Sequence, residues 1–349
     1  MSLRGPVVFV VLLLPVLPCA VGLPHAEAAS RVEEEAAAAA AGRAKPTDAA
    51  QGPGGSRAGV APARKPVIPI AWRPELEAAR KEAADGGLCT LLYFRADWCS
   101  PCRLMGQGTF LLPAVAQFIN RHFVPVKIDD SEGRSEVSKR YEVRVYPSVL
   151  FLDPAGEPLH MVLGPREPEP FYRIMKQVEE VPRLMERQHA HPDSLRANFA
   201  LGNALATLNH LRRAAPYLEK AAALDPENEA GRRSQARLIL AVVPLEDGDS
   251  TQALANLEAW LKAFPDAPEV PVAIWYQGTI LYQDGKLAEA KRYFREIVRR
   301  FPKHSKAYEA DKAIGFIEGR MRAEAATETK DKETGVPAQA PSDRPQPKG

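Results

Sequence analysis

The sequence predicts an α/β domain three layers deep, followed by an all-α repeat array. Between residues 65 and 183, short apolar runs rich in strand-forming residues alternate with stretches of helical periodicity, the pattern of helices laid over a buried sheet. Between residues 193 and 320 the strand signal stops and three segments end alike, at Pro226, Pro265 and Pro302. Residues 29–64 and 321–349, rich in Ala, Gly and Pro, bracket both regions and hold too little apolar surface to offset chain entropy. They are expected to be tethers. A net charge of +2 argues against a nucleic-acid or other polyanionic partner.

The first residues bear on the compartment. Arg4 precedes an uncharged apolar stretch broken by Pro15 and Pro18, and Ala26-Glu27-Ala28 places small residues at cleavage spacing. That is the layout of a secretory signal peptide over residues 1–28, so export, to a periplasm, is expected. A retained anchor over residues 6–24 is the competing reading, because the run approaches spanning length, and only then would a membrane be involved. Lipid attachment at Cys19 fits less well, since Val16-Leu17-Pro18 lacks the small residues such a signal needs.

In the α/β region, "ELEAARKEAADGG" predicts a helix with a glycine stop and "LCTLLYF" a central buried strand. "WCSPC" should then open a helix that continues through "RLMGQGTFLLPAVAQFINRH". Next come a strand at "FVPVKID", a short helix at "SEVSKRYEV", strands at "SVLFLD" and "HMVLG" on either side of the turn "PAGEP", and a final helix at "PEPFYRIMKQVEEV".

Two cysteines with two residues between them, Cys99 and Cys102, follow the first strand. A zinc site would need two further ligands, yet the chain beyond the leader offers only Cys89 and scattered histidines, so no metal is expected. A Cys89–Cys99 disulfide is also disfavoured. A strand rising about 3.3 Å per residue between them would hold their Cα atoms beyond the roughly 7 Å limit. Cys89 reads as a buried core thiol, Asp97 as a solvated charge, and His122 and His160 as surface or strand-end residues.

Trp98-Cys99-Ser100-Pro101-Cys102 after an apolar strand, with Tyr146-Pro147-Ser148 before another, resembles the thioredoxin family. More fully, "ADWCSPCRLM…TF…VPVKIDD…RYEVRVYPSVLFLDPAGEP" is similar to exported thioredoxin-like domains of the thiol:disulfide interchange type, over about residues 66–183. The resemblance implies a thiol-disulfide oxidoreductase without cofactor, its partners being protein thiols or disulfides and a reducing or oxidising protein. Cys99, at a helix N-terminus, would be the nucleophile, its thiolate favoured by the dipole and the unpaired N–H groups. Cys102, one turn on, would resolve the mixed disulfide. Pro101 is tolerated in that first turn, where its missing N–H is not needed. Pro147 would be cis beside the pair, with Val145 and Tyr146 exposing backbone to an extended client segment and Trp98 shaping the surface around it.

The chain departs from the family pattern in three places. Thioredoxins usually carry a buried carboxylate six residues before the first cysteine; here Tyr93 stands there. The lysine that often pairs with that carboxylate has its counterpart near Pro125, and the glycine two before the cis-proline is Val145. A proton relay to Cys102 is therefore expected to be missing. Ser100-Pro101 between the cysteines resembles the reducing type more than the His-containing pair of strong oxidants.

The segments "AAPYLEKAAALDP", "ALANLEAWLKAFP" and "EAKRYFREIVRRFP" are spaced by 39 and 37 residues. Small and apolar residues recur within the copies: Leu201, Gly202, Ala214, Leu218 and Ala221; Leu240, Ala241, Ala253, Leu257 and Trp260; Gly278, Leu281, Ala290, Phe294 and Ile297. This is similar to the tetratricopeptide repeat, best in the third copy, with "KHSKAYEADKAIGFIEG" as a capping helix. Pro244 falls inside the first helix of the second copy. The resemblance implies a surface that binds a protein or peptide; the alternative is helices that only pack on the neighbouring domain or on a second copy. Two functions of different class stay open: an oxidoreductase whose repeats recruit a client or redox partner, and a redox-sensing or scaffold module without efficient turnover.

Overall fold

The computed structural model describes residues 69–334. The expected leader, with Cys19 and the alternative anchor at 6–24, lies outside the described residues, as do the tether at 29–64 and the chain end from 335. The chain divides into two compact units at residue 220/221.

The first unit is built on a four-stranded sheet in the order β2-β1-β3-β4, with β1 at Cys89–Arg95, β2 at Phe123–Asp129, β3 at Ser148–Leu152 and β4 at Pro158–Leu163. Strand β1 runs parallel to β2 and antiparallel to β3, and β4 is antiparallel to β3. All of β1 is buried except Arg95, as the unbroken apolar run predicts for a strand covered on both faces. Helix α1 (Leu76–Gly86) lays Leu76, Ala79 and Ala83 on the face formed by Leu92, Phe94, Val126 and Leu150. It stops at Gly87, whose φ of 60° suits a residue without Cβ and whose N–H closes the last turn on Ala83 and Ala84. The opposite face carries an aromatic stack in which Phe123, Phe151, Phe171 and Phe110 follow one another at ring-contact distance.

The long helix expected from Ser100 to His122 is broken. Helix α2 covers Ser100–Gln107, a 3₁₀ turn covers Thr109–Leu111, and helix α3 covers Pro113–His122. Gly108 leaves the helical region at the first end, and Pro113, which lacks an N–H and would clash with the preceding turn, can only start a new helix. Helix α4 (Glu136–Arg140) precedes β3. Helix α5 (Pro168–Ala190) is longer than expected: it buries Phe171, Met175 and Val178, passes Pro182 without ending and buries Leu184 beyond it. The anticipated domain edge at 183 thus lies inside a helix.

Helices α6 (Leu195–Thr207) and α7 (Leu211–Ala223) form the first pair, and α7 as far as Lys220 belongs to this unit. A Cβ on Gly202 would come within 2.7 Å of the Leu218 side chain, so the small residue is what lets the pair close. Arg213 on α7 forms an ion pair at 2.7 Å with Asp153, whose side chain is only 1% exposed in the β3–β4 turn, and His210 binds the Leu159 carbonyl of β4.

The second unit stacks α8 (Arg232–Ala241), α9 (Ser250–Ala263), α10 (Val270–Gln283), α11 (Leu287–Arg300) and α12 (Ser305–Thr334). The Trp260 indole donates to the Ser234 carbonyl at 2.8 Å and fastens α9 to α8. Gly278 lies so close to Phe294 that a Cβ would meet its ring at 2.8 Å. In the second copy Leu238 and Ile239 are buried whereas the expected Leu240 is half-exposed. Pro244 does not sit within a helix: α8 ends at Ala241 and Pro244 falls in a 3₁₀ turn at Val243–Asp247. The stretch from 321 expected to be a tether is helical as far as Thr334. Ala- and Glu-rich residues, good helix formers, carry α12 through Thr334, with an Arg320–Glu324 pair one turn apart.

Candidate active site

Parallel pairing of β1 with β2 from Cys89↔Phe123 to Arg95↔Asp129 brings both strands to an end on the same side. Antiparallel pairing of Phe94 with Ser148 brings the start of β3 to that side as well. The loop leaving β1, the loop leaving β2 and the residues entering β3 therefore meet there, although far apart in sequence.

Cys99 caps α2. Its sulfur accepts the Cys102 N–H at 3.1 Å, and its carbonyl accepts the first bonds of the helix. The two cysteines are joined, with an S–S distance of 2.09 Å and Cα atoms 5.3 Å apart. Both are buried, in a small cluster with Ala96 against which the Tyr146 ring packs. The Tyr146–Pro147 peptide bond is cis. Trp98 stands 65% exposed with its ring edge-on to Tyr146 at 5.6 Å, and Val145 is 45% exposed.

Charged groups clasp the loop between β1 and α2. Arg95 is paired with both Asp97 and Asp129. Arg103 donates to the Asp97 carbonyl at 2.6 Å and to the Ser100 hydroxyl at 2.9 Å, and the Asp97 N–H donates to Ser131. Asp97 is exposed, as expected, but it is not a free charge. The Arg95 guanidinium holds its carboxyl below the ordinary range.

Tyr93 points to the face opposite α1, edge-on to Phe110 at 4.8 Å and tilted against Trp72 at 5.6 Å. Its hydroxyl donates to the Cys102 carbonyl at 3.1 Å. Burial pushes the phenol up to about 12, so it is neutral across the physiological range. Lys127 lies over the Trp72 ring. Cys89 is buried, its thiol raised by desolvation and its sulfur 3.9 Å from the Val178 carbonyl. His160 is more than a strand-end residue: half-buried on β4, it is lowered to about 4 by desolvation, with His210 and Arg166 adding to the shift. His122 is tied to Glu179 at 3.3 Å.

Sequence reasoning passed over Asp130, the residue after β2. It is 1% exposed, and its carboxylate accepts from Tyr146, Ser138 and the Ser135 N–H. The available signal was an acid just past a strand with serines five and eight residues on, placed to fold back over it.

The sheet order, a disulfide closing the first turn of a helix and a cis-proline beside it decide the fold. The chain carries a thioredoxin-like domain. The model of that domain matches residues 76–179, and tetratricopeptide-repeat models match residues 195–228 and 272–304. A thioredoxin H-type of Oryza sativa subsp. indica is 28% identical over 116 residues, covering 32% of this chain and 87% of that protein. The thiol:disulfide interchange protein DsbD of Pseudomonas fluorescens is 34% identical over 24% of this chain, but over only 14% of its own length. The TPR repeat-containing thioredoxin TDX of Oryza sativa subsp. japonica is 34% identical over 28% of this chain and 29% of its own length. With its cysteine pair at disulfide distance, the thioredoxin-like domain is a thiol-disulfide oxidoreductase, and the repeats that follow are protein-binding modules. Among the described residues no helix is long and apolar enough to cross a membrane.

Proposed function

We propose that this protein is an exported, periplasmic thiol-disulfide oxidoreductase in which Cys99 attacks and Cys102 resolves. The observation that supports it is Cys99 at the cap of α2 with the Cys102 N–H on its sulfur, a setting that favours a thiolate there. In the reducing direction the Cys99 thiolate attacks a client disulfide, forming one S–S bond and releasing one client thiolate. Cys102, deprotonated, then attacks the Cys99 sulfur; the Cys99–Cys102 disulfide forms and the second client thiol leaves. The two electrons given up must be restored by an external dithiol protein. Trp98, Val145, Tyr146 and Pro147 form the surface on which an extended client segment would lie, and the repeats recruit the protein client or the redox partner. Cys102→Ser should accumulate mixed disulfides with clients while Cys99→Ser accumulates none; the opposite pattern would reverse the two roles.

Tyr93 favours a second reading. A neutral phenol bonded to the Cys102 carbonyl stands where a base could assist that cysteine. The pair would then act as a redox sensor or a slowly exchanging binding module. Turnover of insulin disulfides by the full chain separates the two.

A further inference from the structure

Asp130 is buried at the mouth of the dithiol site, yet nothing in the exchange chemistry requires it. Its Oδ2 accepts from the Tyr146 hydroxyl at 2.7 Å and from the Ser138 hydroxyl, its Oδ1 accepts from the Ser135 N–H at 2.7 Å, and its own N–H donates to the Arg95 carbonyl at 2.8 Å. Burial alone would raise its pKa, but the hydrogen bonds from Ser138, Ser135 and Tyr146 outweigh it and keep the carboxyl below the ordinary range. The anion is therefore a fixed acceptor at neutral pH. Tyr146 is the residue immediately before Pro147, and its ring packs on the Cys99–Cys102 cluster and stands edge-on to Trp98. The Ser148 hydroxyl donates to the Val145 carbonyl at 2.7 Å. One buried carboxylate thus holds a side chain that touches the cysteine pair and the exposed Trp98 and belongs to the residue before the cis-proline.

We propose that Asp130 is a positioning residue for client binding: through the Tyr146 hydroxyl it fixes Tyr146 and Trp98 against the dithiol as a preformed face for an extended protein segment. The proposal rests on the client surface described above. A rigid aromatic face lowers the ordering that binding would otherwise require. Bonding through a short, charge-assisted contact makes Tyr146 a fixed wall rather than a swinging one.

The test uses the full chain. Asp130→Asn removes the charge and cannot satisfy all three donors, and Tyr146→Phe removes only the tie. Each should raise the KM for insulin disulfides about tenfold, the low end of the worth of one charge-assisted hydrogen bond. The rise on a small disulfide such as hydroxyethyl disulfide should be several-fold smaller. Because both variants act on the same tie, the loss in the double variant should fall short of the sum of the two single losses. Acrylamide quenching of Trp98, isolated by comparison with Trp98→Phe, should rise in both single variants. Asp130→Asn that lowers thermal stability but leaves the insulin KM and Trp98 quenching unchanged would overturn the proposal, as would additive losses in the double variant. If the wild-type chain turns over neither disulfide, the proposed enzyme function fails. The positioning role is then read from binding of a reduced insulin B chain to the Cys99→Ser/Cys102→Ser chain. Weaker binding on adding Asp130→Asn supports it, and unchanged affinity refutes it.

Discussion

Tyr93 decides most at the scale of single residues. A carboxylate at its position could take the proton from Cys102 near neutral pH, whereas a phenol held up to about 12 cannot act as an anion there. Resolution should therefore be slow and mixed disulfides long-lived. Tyr93→Asp should speed turnover of a model disulfide where the fold accepts a buried acid, and Tyr93→Phe should change turnover little while lowering stability by about 1 kcal/mol, the worth of its bond to the Cys102 carbonyl. A large loss of turnover in Tyr93→Phe with stability intact would place the hydroxyl in the chemistry. His160 makes a separate prediction. Its folded pKa is lowered to about 4, while the unfolded chain titrates near 6.5, so between those values the unfolded state binds the extra proton. Its contribution is fully present above about pH 6.5 and is lost as pH falls towards 4, amounting to about 3 kcal/mol at most. His160→Gln should flatten the stability profile across that window, measured by urea unfolding at several pH values. An unchanged slope would exclude His160 as its source.

Between elements, the contact of α7 with the β3–β4 hairpin matters most. Asp153 is buried, takes the Glu157 N–H on one oxygen and the Arg213 guanidinium on the other, and the adjacent Pro158 and Leu159 carbonyls face Arg213 and His210. The first helical pair is thereby part of the unit that holds the dithiol, and only the short turn from His191 to Ser194 separates it from α5. Arg213→Ala strips a buried carboxylate of its ionic partner. Since the arginine is itself a third exposed, the expected loss is about 1–3 kcal/mol rather than that of a fully buried pair. Thermal unfolding followed by near-ultraviolet circular dichroism should show the loss in the sheet as well as in the helices. A transition confined to the helices would mean the contact carries no load for the sheet.

At the scale of the whole chain, compartment and chemistry are linked. A dithiol that exchanges with proteins works against whatever redox poise surrounds it, and a signal peptide would place this one outside the reducing cytosol. Expressed with its leader in a bacterial host, the mature protein should be recovered from the periplasmic fraction with an N-terminus just after residue 28. Recovery of the intact N-terminus in the membrane fraction would establish the anchored alternative at residues 6–24.

The sequence by itself determined the strands and the cysteine pair, but not the break at Gly108 or the run of α5 past Pro182. The unbroken apolar run of β1, the glycine stop at Gly87, the Cys99–Cys102 spacing and the recurring Gly202 and Gly278 are local or periodic signals, each tied to a backbone requirement. Only the tertiary structure decided which residues meet. Tyr146 and Asp130 lie sixteen residues apart with a helix between them. Their bond follows from strand order, because β2, parallel to β1 on one side, ends and β3, antiparallel on the other, begins at the same end of the sheet. Arg213 reaches Asp153 across sixty residues for a similar reason: helix α5 crosses the sheet and continues past Pro182. The final helix expected from the sequence ends at Val181, just before that proline. Within the fold the helix persists, because the apolar residues on both sides of the proline, Val178, Val181 and Leu184, are buried and their packing outweighs the loss of one backbone hydrogen bond.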